Sequence, residues 1–280
     1  MTAPCDGLLK MLAVASVEVS SRGHAIPALK DRFAVGTDVT ITFLPGDNCR
    51  HNVETAAALR RAGFNPVPHI AAREIASLEM LNDFIARLRG AADVSRVLLI
   101  AGDVAGAKGP FRSSRDVAAT GLLQAHGIGH VSVAGHPEGH PYLGEDAAFM
   151  GFKAWRDWAR QAQMDVDIVT QFCFEAAPLL GFLAALDARG IELPVTIGLA
   201  GPATPATLTK FALRCGIGNS IRALRGQIGR CGRLLVDRGP DDVMGGLALA
   251  PKSATSAIAG FHIFPFGGLR KAHDWLRAYS

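Results

Sequence analysis

Eight short apolar runs recur along the chain, separated by longer stretches in which apolar residues are spaced at helical intervals. The runs span residues 12–19, 39–43, 67–70, 97–102, 130–135, 167–174, 194–201 and 261–266. Most are continuously apolar, which is typical of strands buried on both faces of a parallel sheet. The first run ends at Glu18 without a small-residue cleavage site, so we expect a buried strand there and not a signal peptide.

Helical patterns fill the gaps at 52–64, 77–90, 177–190 and 203–216. Two of them carry start signals, namely Ser77 as an N-cap and Thr204 before Pro205, and Gly90 and Gly190 are stop signals. The interval before the eighth run is the longest and predicts two helices, or a helix and a loop. Strand and helix alternate eight times, which predicts an α/β fold, a (β/α)8 TIM barrel in a single domain over residues 1–280. A doubly wound open sheet is the alternative, because the same alternation builds both.

Composition, charge and cysteine spacing limit the kinds of function that the sequence is expected to have. Hydrophobic residues make up 49% of the 280 residues and the mean hydropathy is +0.21, so a sizeable core is expected. The net charge of +4 is scattered, which suits an anionic small molecule better than a nucleic acid, and no apolar stretch approaches the roughly 20 residues of a membrane span. Five cysteines without a CxxC pair indicate a reducing cytoplasm. A homo-oligomer is compatible with the sequence, which does not determine the oligomeric state.

Polar residues stand where most of the predicted strands end. They are Glu18, Thr42, His69, Asp103, His136 and Gln171. In a barrel, the carboxyl ends of the strands carry the chemistry, so this ring predicts an active site. Glu18 has two interpretations, a salt-bridged core carboxylate or a general acid whose pKa is raised by burial.

The stretch SVAGHPEGHP raises the question of a metal site, since His136 and His140 stand four apart with Glu138 between them. Pro137 and Pro141 forbid a regular helix through both imidazoles, so a rigid loop after a strand is the favoured interpretation. The glycine-rich segments 216–221 and 101–110 match neither the dinucleotide nor the P-loop pattern. Further along, Trp155 and Trp158 predict the buried stripe of a helix. The nearby Lys153, Arg156 and Arg160 are either a solvated face or phosphate ligands.

Taken in order, these pieces resemble the short bacterial methylenetetrahydrofolate reductases. The motifs that carry the resemblance are VEVSS with Glu18, VTITF with Thr42, PHIA with His69, LLIAGD with Asp103, VAGHPEGHP, VTQFCFE with Gln171, and FHIFPF. Their order and spacing agree over most of the chain, and HPEGHP and TQF are the more specific pieces. The resemblance implies a catalytic barrel without a regulatory domain.

The resemblance further implies a flavoprotein of one-carbon metabolism that holds FAD and reduces 5,10-methylenetetrahydrofolate to 5-methyltetrahydrofolate with NADH or NADPH. Glu18 would be the general acid and Asp103 would lie by the flavin ring. The implied cofactor ligands are Thr42, His69, Gly102, Asp103, Ala134, His136, His140, Lys153, Arg156 and Arg160. The implied folate ligands are Glu18, Gln171, Phe211 and Arg270. The resemblance implies no metal, and the direction of the reaction in the cell is left open.

The chain departs from the pattern of that family at several positions. Ala101 stands in place of an arginine, His136 in place of a tyrosine, and Gly267–Gly268 in place of an Asn-Arg pair. Two other functions therefore stay open at this point. One is a metal-dependent barrel lyase or aldolase that uses His136, Glu138 and His140, and the other is a non-catalytic folate- or flavin-binding protein.

Overall fold

A computed structural model describes residues 6–21, 26–140, 143–217 and 237–279. Eight parallel strands follow one another in chain order and close into a barrel. The strands are β1 (Ser16–Ser20), β2 (Asp38–Thr42), β3 (Asn65–Ala71), β4 (Arg96–Ile100), β5 (His130–Gly135), β6 (Asp165–Thr170), β7 (Val195–Ala200) and β8 (Ile258–Phe264). The predicted (β/α)8 barrel is confirmed, and the open-sheet alternative is wrong because the sheet closes.

Helices connect the strands and also precede the first one. They are α1 (Asp6–Ala13), α2 (Ile26–Lys30), α3 (Cys49–Arg61), α4 (Leu78–Ala92), α5 (Ser114–Ala118), α6 (Leu122–Ala125), α7 (Glu145–Ala162), α8 (Ala176–Ala188), α9 (Pro205–Arg214), α10 (Asp241–Leu249) and α11 (Leu269–Arg277). Single 3-10 turns lie at Ala72–Glu74 and Lys252–Thr255. In the described residues, no helix is both long and apolar enough to cross a membrane.

Local signals set most of the element ends. Ser77 accepts a hydrogen bond from Met80 N at the start of α4, and Thr204 does the same from Thr207 N before Pro205 in α9. Both predicted caps are confirmed. Helix α4 passes the predicted stop at Gly90 and ends at Asp93, which adopts the left-handed conformation.

Predicted and observed strand bounds differ most at the start of the first strand and at the end of the sixth. Leu12 and Ala13 belong to α1, because Leu8 and Leu12 are buried at helical spacing, and the strand begins at Ser16. The sixth strand ends at Thr170 and not at Phe174, so Gln171 opens the loop that follows.

The chain packs as two compact units. The first, called the N-terminal unit, holds residues 16–134 and 159–167, and the C-terminal unit holds 1–15, 135–158 and 168–280. One domain over residues 1–280 stays a prediction.

A charged cluster lies at the amino ends of strands in the N-terminal unit, and we call it the floor cluster. Its members are Asp38, Arg96, His130, Ser132 and Asp167. The Arg96 guanidinium bridges Asp38 at 3.1 Å and Asp167 at 2.9 Å. Burial alone would raise the pKa of Asp167, but hydrogen bonds from His130 and Ser132 and the charge of Arg96 outweigh it and hold that pKa below its usual value.

Candidate functional site

Glu18 and His69 form the centre of the candidate site in the N-terminal unit. Glu18 is the third residue of β1, where it alternates with buried Val17 and Val19, and not the end of that strand as the ring of polar ends predicts. His69 comes from β3. The Glu18 Oε2 and His69 Nε2 atoms are 3.8 Å apart, and their side chains are only 18% and 9% exposed. The two residues therefore meet across the intervening strand β2.

Burial fixes the protonation of this pair. It raises the pKa of Glu18 to about 8 and lowers the pKa of His69 to about 4. At neutral pH the carboxyl group keeps its proton and the imidazole is uncharged. The two side chains therefore do not form an ion pair at neutral pH. Of the two interpretations of Glu18, the burial of both side chains favours the proton donor over the salt-bridged core carboxylate.

Buried polar atoms without hydrogen-bond partners accompany this pair. Within the described part of the chain, Thr42 Oγ1, Asn52 Oδ1 and His69 Nε2 are buried and have none. The Asn52 amide donates to the carbonyl oxygen of Thr42 at 3.0 Å, so these two residues lie side by side. Buried polar atoms are nearly always paired in proteins, so this group is suited to receive a ligand or ordered water.

Asn52 is a residue that the sequence analysis missed. It is fully buried in α3 together with Val53 and Ala56. The available signal was an amide side chain on the apolar face of an amphipathic helix, close after the strand that carries Thr42.

The loop after β4 carries Gly102 and Asp103 and is fixed by Arg73. Gly102 adopts a φ of 95°, which favours glycine, and Asp103 is exposed. The Arg73 guanidinium donates to the carbonyl oxygens of Arg112 and Val104.

Backbone and ion-pair contacts hold the same loop. The amide of Arg73 donates to the carbonyl oxygen of Ala101, and Lys108 pairs with buried Glu74. The loop is therefore anchored at both ends against the turn that follows β3, and the position of Asp103 is set by these contacts.

The HPEGHP loop lies in the C-terminal unit and begins directly after β5. No helix forms through His136 and His140, as predicted, and their rings meet edge to face with centroids 4.6 Å apart. Burial, followed by the nearby His140, lowers the pKa of His136 to about 4. Pro141 lies outside the described residues, and so does most of segment 216–221. Ala134, the fifth residue of β5, is half-buried in the N-terminal unit.

The proposed metal trio does not form. Across the described ranges, no group of three or more histidine, cysteine or carboxylate side chains could hold a metal ion. The Glu138 carboxylate instead contacts Cys173, and burial together with that carboxylate raises the pKa of the Cys173 thiol.

Gln171 begins the loop after β6. Its backbone amide donates to the carbonyl oxygen of Gly135 at 2.8 Å, and its side-chain Oε1 accepts from the amide of Phe172 at 3.1 Å. Gln171 is half-buried, and its side-chain amide nitrogen is the group that can donate a hydrogen bond to a ligand.

An aromatic cluster surrounds Phe211 in the C-terminal unit. The Phe211 ring stacks on Phe266 with centroids 4.1 Å apart, and Phe172 packs against Phe266 from the other side of the cluster. At Gly267 a Cβ atom would overlap the carbonyl oxygen of Pro202, and Gly268 has a φ of 96°. In this backbone conformation a side chain at Gly267 would clash, and Gly268 adopts a conformation that favours glycine.

The predicted phosphate ligands lie apart from these groups. Lys153 is exposed on α7, whereas Arg156 binds Asp157 and the carbonyl oxygen of Gly190 in the turn before β7. Arg160 lines a shallow surface with Gly129 and Asp165, next to the starts of β5 and β6. A ligand at the carboxyl ends of the strands would not contact Arg156 or Arg160.

Two other predicted side chains behave as surface and helix-face residues. Arg270 is 69% exposed and lies 3.6 Å from Asp274 one turn along α11. Trp155 is buried and meets Trp158 edge to face with ring centroids 5.3 Å apart, which confirms the predicted helix stripe.

Comparison with known proteins adds a fold likeness. No family model matches the sequence. An uncharacterized protein from Clostridium thermocellum that binds two copies of 5-methyl-5,6,7,8-tetrahydrofolic acid is similar in structure, with a TM-score of 0.56, 12% identity, and coverage of 97% of this chain and 99% of that chain. Dihydropteroate synthase from Thermus thermophilus gives a TM-score of 0.46 at 16% identity, over 94% of this chain and 92% of that chain. At such identities the first likeness supports the barrel fold.

Proposed function

We propose that this protein binds a reduced folate and interconverts 5,10-methylenetetrahydrofolate and 5-methyltetrahydrofolate, with Glu18 as the acid. The observation that carries the proposal is the buried, protonated Glu18 beside His69, together with the unpartnered hydroxyl of Thr42. The resemblance of the strand-end motifs to the reductase family supports it. A protein of the same fold that binds 5-methyltetrahydrofolate supports the folate part.

The proposed role of Glu18 follows from its proton. To open the methylene bridge of 5,10-methylenetetrahydrofolate, a proton must reach the nitrogen that leaves, and the product is a reactive iminium. A carboxyl group whose pKa is raised to about 8 still holds that proton at neutral pH. An ordinary glutamate would have lost it and could not act as the acid.

The described residues fit the ring end of FAD. The Thr42 hydroxyl offers a buried polar atom without a partner, and Gly102 has no side chain that would keep a ring away from the turn it forms with Asp103. When bound, FAD would carry the hydride between NADH or NADPH and the one-carbon unit. The diphosphate end has no assigned ligand, because Arg156 and Arg160 contact the turns at the amino ends of strands.

A second candidate is a folate-binding protein that performs no hydride transfer. The placement of Arg156 and Arg160 favours it, since the cations expected for the FAD diphosphate lie elsewhere. Under this candidate, Glu18 and Thr42 would bind the pterin as hydrogen-bonding groups only.

An anaerobic titration separates the two candidates. Protein supplied with FAD is mixed with 5-methyltetrahydrofolate while the visible absorbance of the flavin is followed. Bleaching supports the reductase, whereas folate binding measured by calorimetry without any bleaching supports the binding protein.

Variants of Glu18 test whether this residue is the acid. Glu18→Gln should slow the folate half-reaction by about 10²–10⁴-fold and spare flavin reduction by NADH or NADPH. Glu54→Gln is the matched control, because that glutamate is 55% exposed on α3. An equal loss of both half-reactions in the Glu18 variant would exclude the acid role.

A further inference from the structure

His69 faces Glu18 across strand β2, yet the two do not form a hydrogen bond. The distance of 3.8 Å between Glu18 Oε2 and His69 Nε2 exceeds the roughly 2.7–3.2 Å of such a bond. A closure of about 1 Å, within reach of small side-chain rotations, would make one. The imidazole nitrogen is buried and has no other hydrogen-bond partner among the described residues.

Burial is the only influence on the pKa values of Glu18 and His69 that the described residues exert, so no charged side chain among them acts strongly on the pair. Strand β2 places Thr40 directly beside Glu18 and Thr42 two residues further along. The charged side chains of the same sheet, Asp38 and Arg96, pair with each other at the amino ends of the strands. Asp103 is exposed on the loop after β4. When Glu18 gives up its proton, the His69 imidazole therefore lies within reach of the new carboxylate, with Nε2 and Oε2 3.8 Å apart.

A neutral imidazole suits both protonation states of a carboxyl group. An Nε2–H group donates a hydrogen bond to the carbonyl oxygen of the acid form while the other carboxyl oxygen carries the proton, and the same group donates to the carboxylate after that proton has left. Burial keeps His69 neutral over the physiological range, since it lowers the pKa of that imidazole to about 4. Such a residue can stay hydrogen bonded to the carboxyl group while that group loses its proton and regains it.

We propose that His69 is a positioning residue for Glu18: it orients the acid form before proton transfer and hydrogen bonds the carboxylate that remains afterwards. In the step itself, the carboxyl proton moves to the substrate nitrogen, the negative charge stays on Glu18, and His69 neither gains nor loses a proton. The inference rests on the proposed function for the identity of the proton acceptor. The hydrogen bond between the two side chains belongs to the protein alone.

The test is a carbon-13 NMR titration of the Glu18 carboxyl in ligand-free protein labelled at glutamate, with the signal assigned by its loss in Glu18→Gln. His69→Leu, which cannot donate, should raise the titration midpoint by about one pH unit or more, because a hydrogen bond to a charged group is lost. His69→Gln, which still donates, should keep the midpoint close to that of the unchanged protein. His126→Gln is the control, since His126 contacts Asn82 far along the chain from this pair.

A second measurement needs no His69 variant, so it can still be made if His69→Leu does not fold. In protein labelled with nitrogen-15 at histidine, the His69 ring signal should shift as Glu18 titrates and should stay flat over the same range in Glu18→Gln. A flat signal in the unchanged protein, or equal midpoints for His69→Leu and His69→Gln, would overturn the role of His69. Neither measurement contains folate or flavin, so their failure is distinct from a failure of the anaerobic titration to bleach.

Discussion

Replacing the proposed acid should make the protein more stable. Burial raises the pKa of Glu18 from 4.5 to about 8 in the folded state. Below pH 4.5 the folded and unfolded chains both hold the proton and no free energy is lost. Above it, the unfolded chain ionises while the folded chain does not, so the stability falls as the pH rises towards 8. The slope is about 1.4 kcal/mol per pH unit, which gives about 3 kcal/mol at pH 7.

Glutamine is the neutral counterpart of the protonated glutamate, so Glu18→Gln removes this loss and keeps the shape. We expect the variant to be more stable than the unchanged protein by about 3 kcal/mol at pH 7 and by little at pH 4.5. Urea denaturation followed by circular dichroism between pH 4.5 and 8.5 measures the difference. The titration of His69 is common to both proteins and cancels to first order.

The reasoning fails if the stability difference between the two proteins is independent of pH. It also fails if the variant is the less stable protein at pH 7, because Glu18 would then be ionised and paired in the folded state. Glu54→Gln, on the exposed face of α3, should not gain stability as the pH rises, because the hydrogen bond with Arg50 lowers the pKa of Glu54 on folding.

Three further predictions concern other parts of the molecule. Thr42→Val should leave the melting temperature unchanged, because Thr42 Oγ1 has no partner among the described residues, and should weaken FAD or folate binding about tenfold, as calorimetry can measure. Asp167→Asn should cost about 2–3 kcal/mol in urea at pH 7 through the lost pairing with Arg96. Since the pKa of Asp167 is lowered on folding, that cost should shrink as the pH falls below 4; a constant cost would contradict the pairing. Gly267→Ala should lower the melting temperature, because the new methyl group meets the Pro202 carbonyl, and an unchanged value would show that this turn gives way.

The sequence predicts the barrel well because its strands are buried on both faces, so each one is a nearly continuous apolar run. It also identifies Thr42 and His69, since a polar residue stands out at the end of such a run. Periodicity does not resolve short apolar stretches, and so Leu12 and Ala13 are assigned to a strand although they end a helix.

The missed features depend on distances that a sequence pattern does not contain. Arg160 stands 15 positions after Glu145, the first residue of α7, which places it about 22 Å further along the helix axis and at the other end of the strands. The 3.8 Å approach of Glu18 to His69 depends on the register of three strands. Asn52 carries no strand-end signal, because it faces the core from a helix.

In the N-terminal unit, the floor cluster lies towards the amino ends of β2, β4, β5 and β6, whereas the Glu18 group lies further along β1, β2 and β3. The charge pairs that hold these strands together are thus separate from the side chains that would meet a ligand. Mutations in the loops after the strands can accumulate without weakening the floor cluster. The reaction or ligand of the barrel can change in this way while its fold is kept. A directed-evolution library confined to the loops after the strands of the N-terminal unit should therefore yield mostly folded variants.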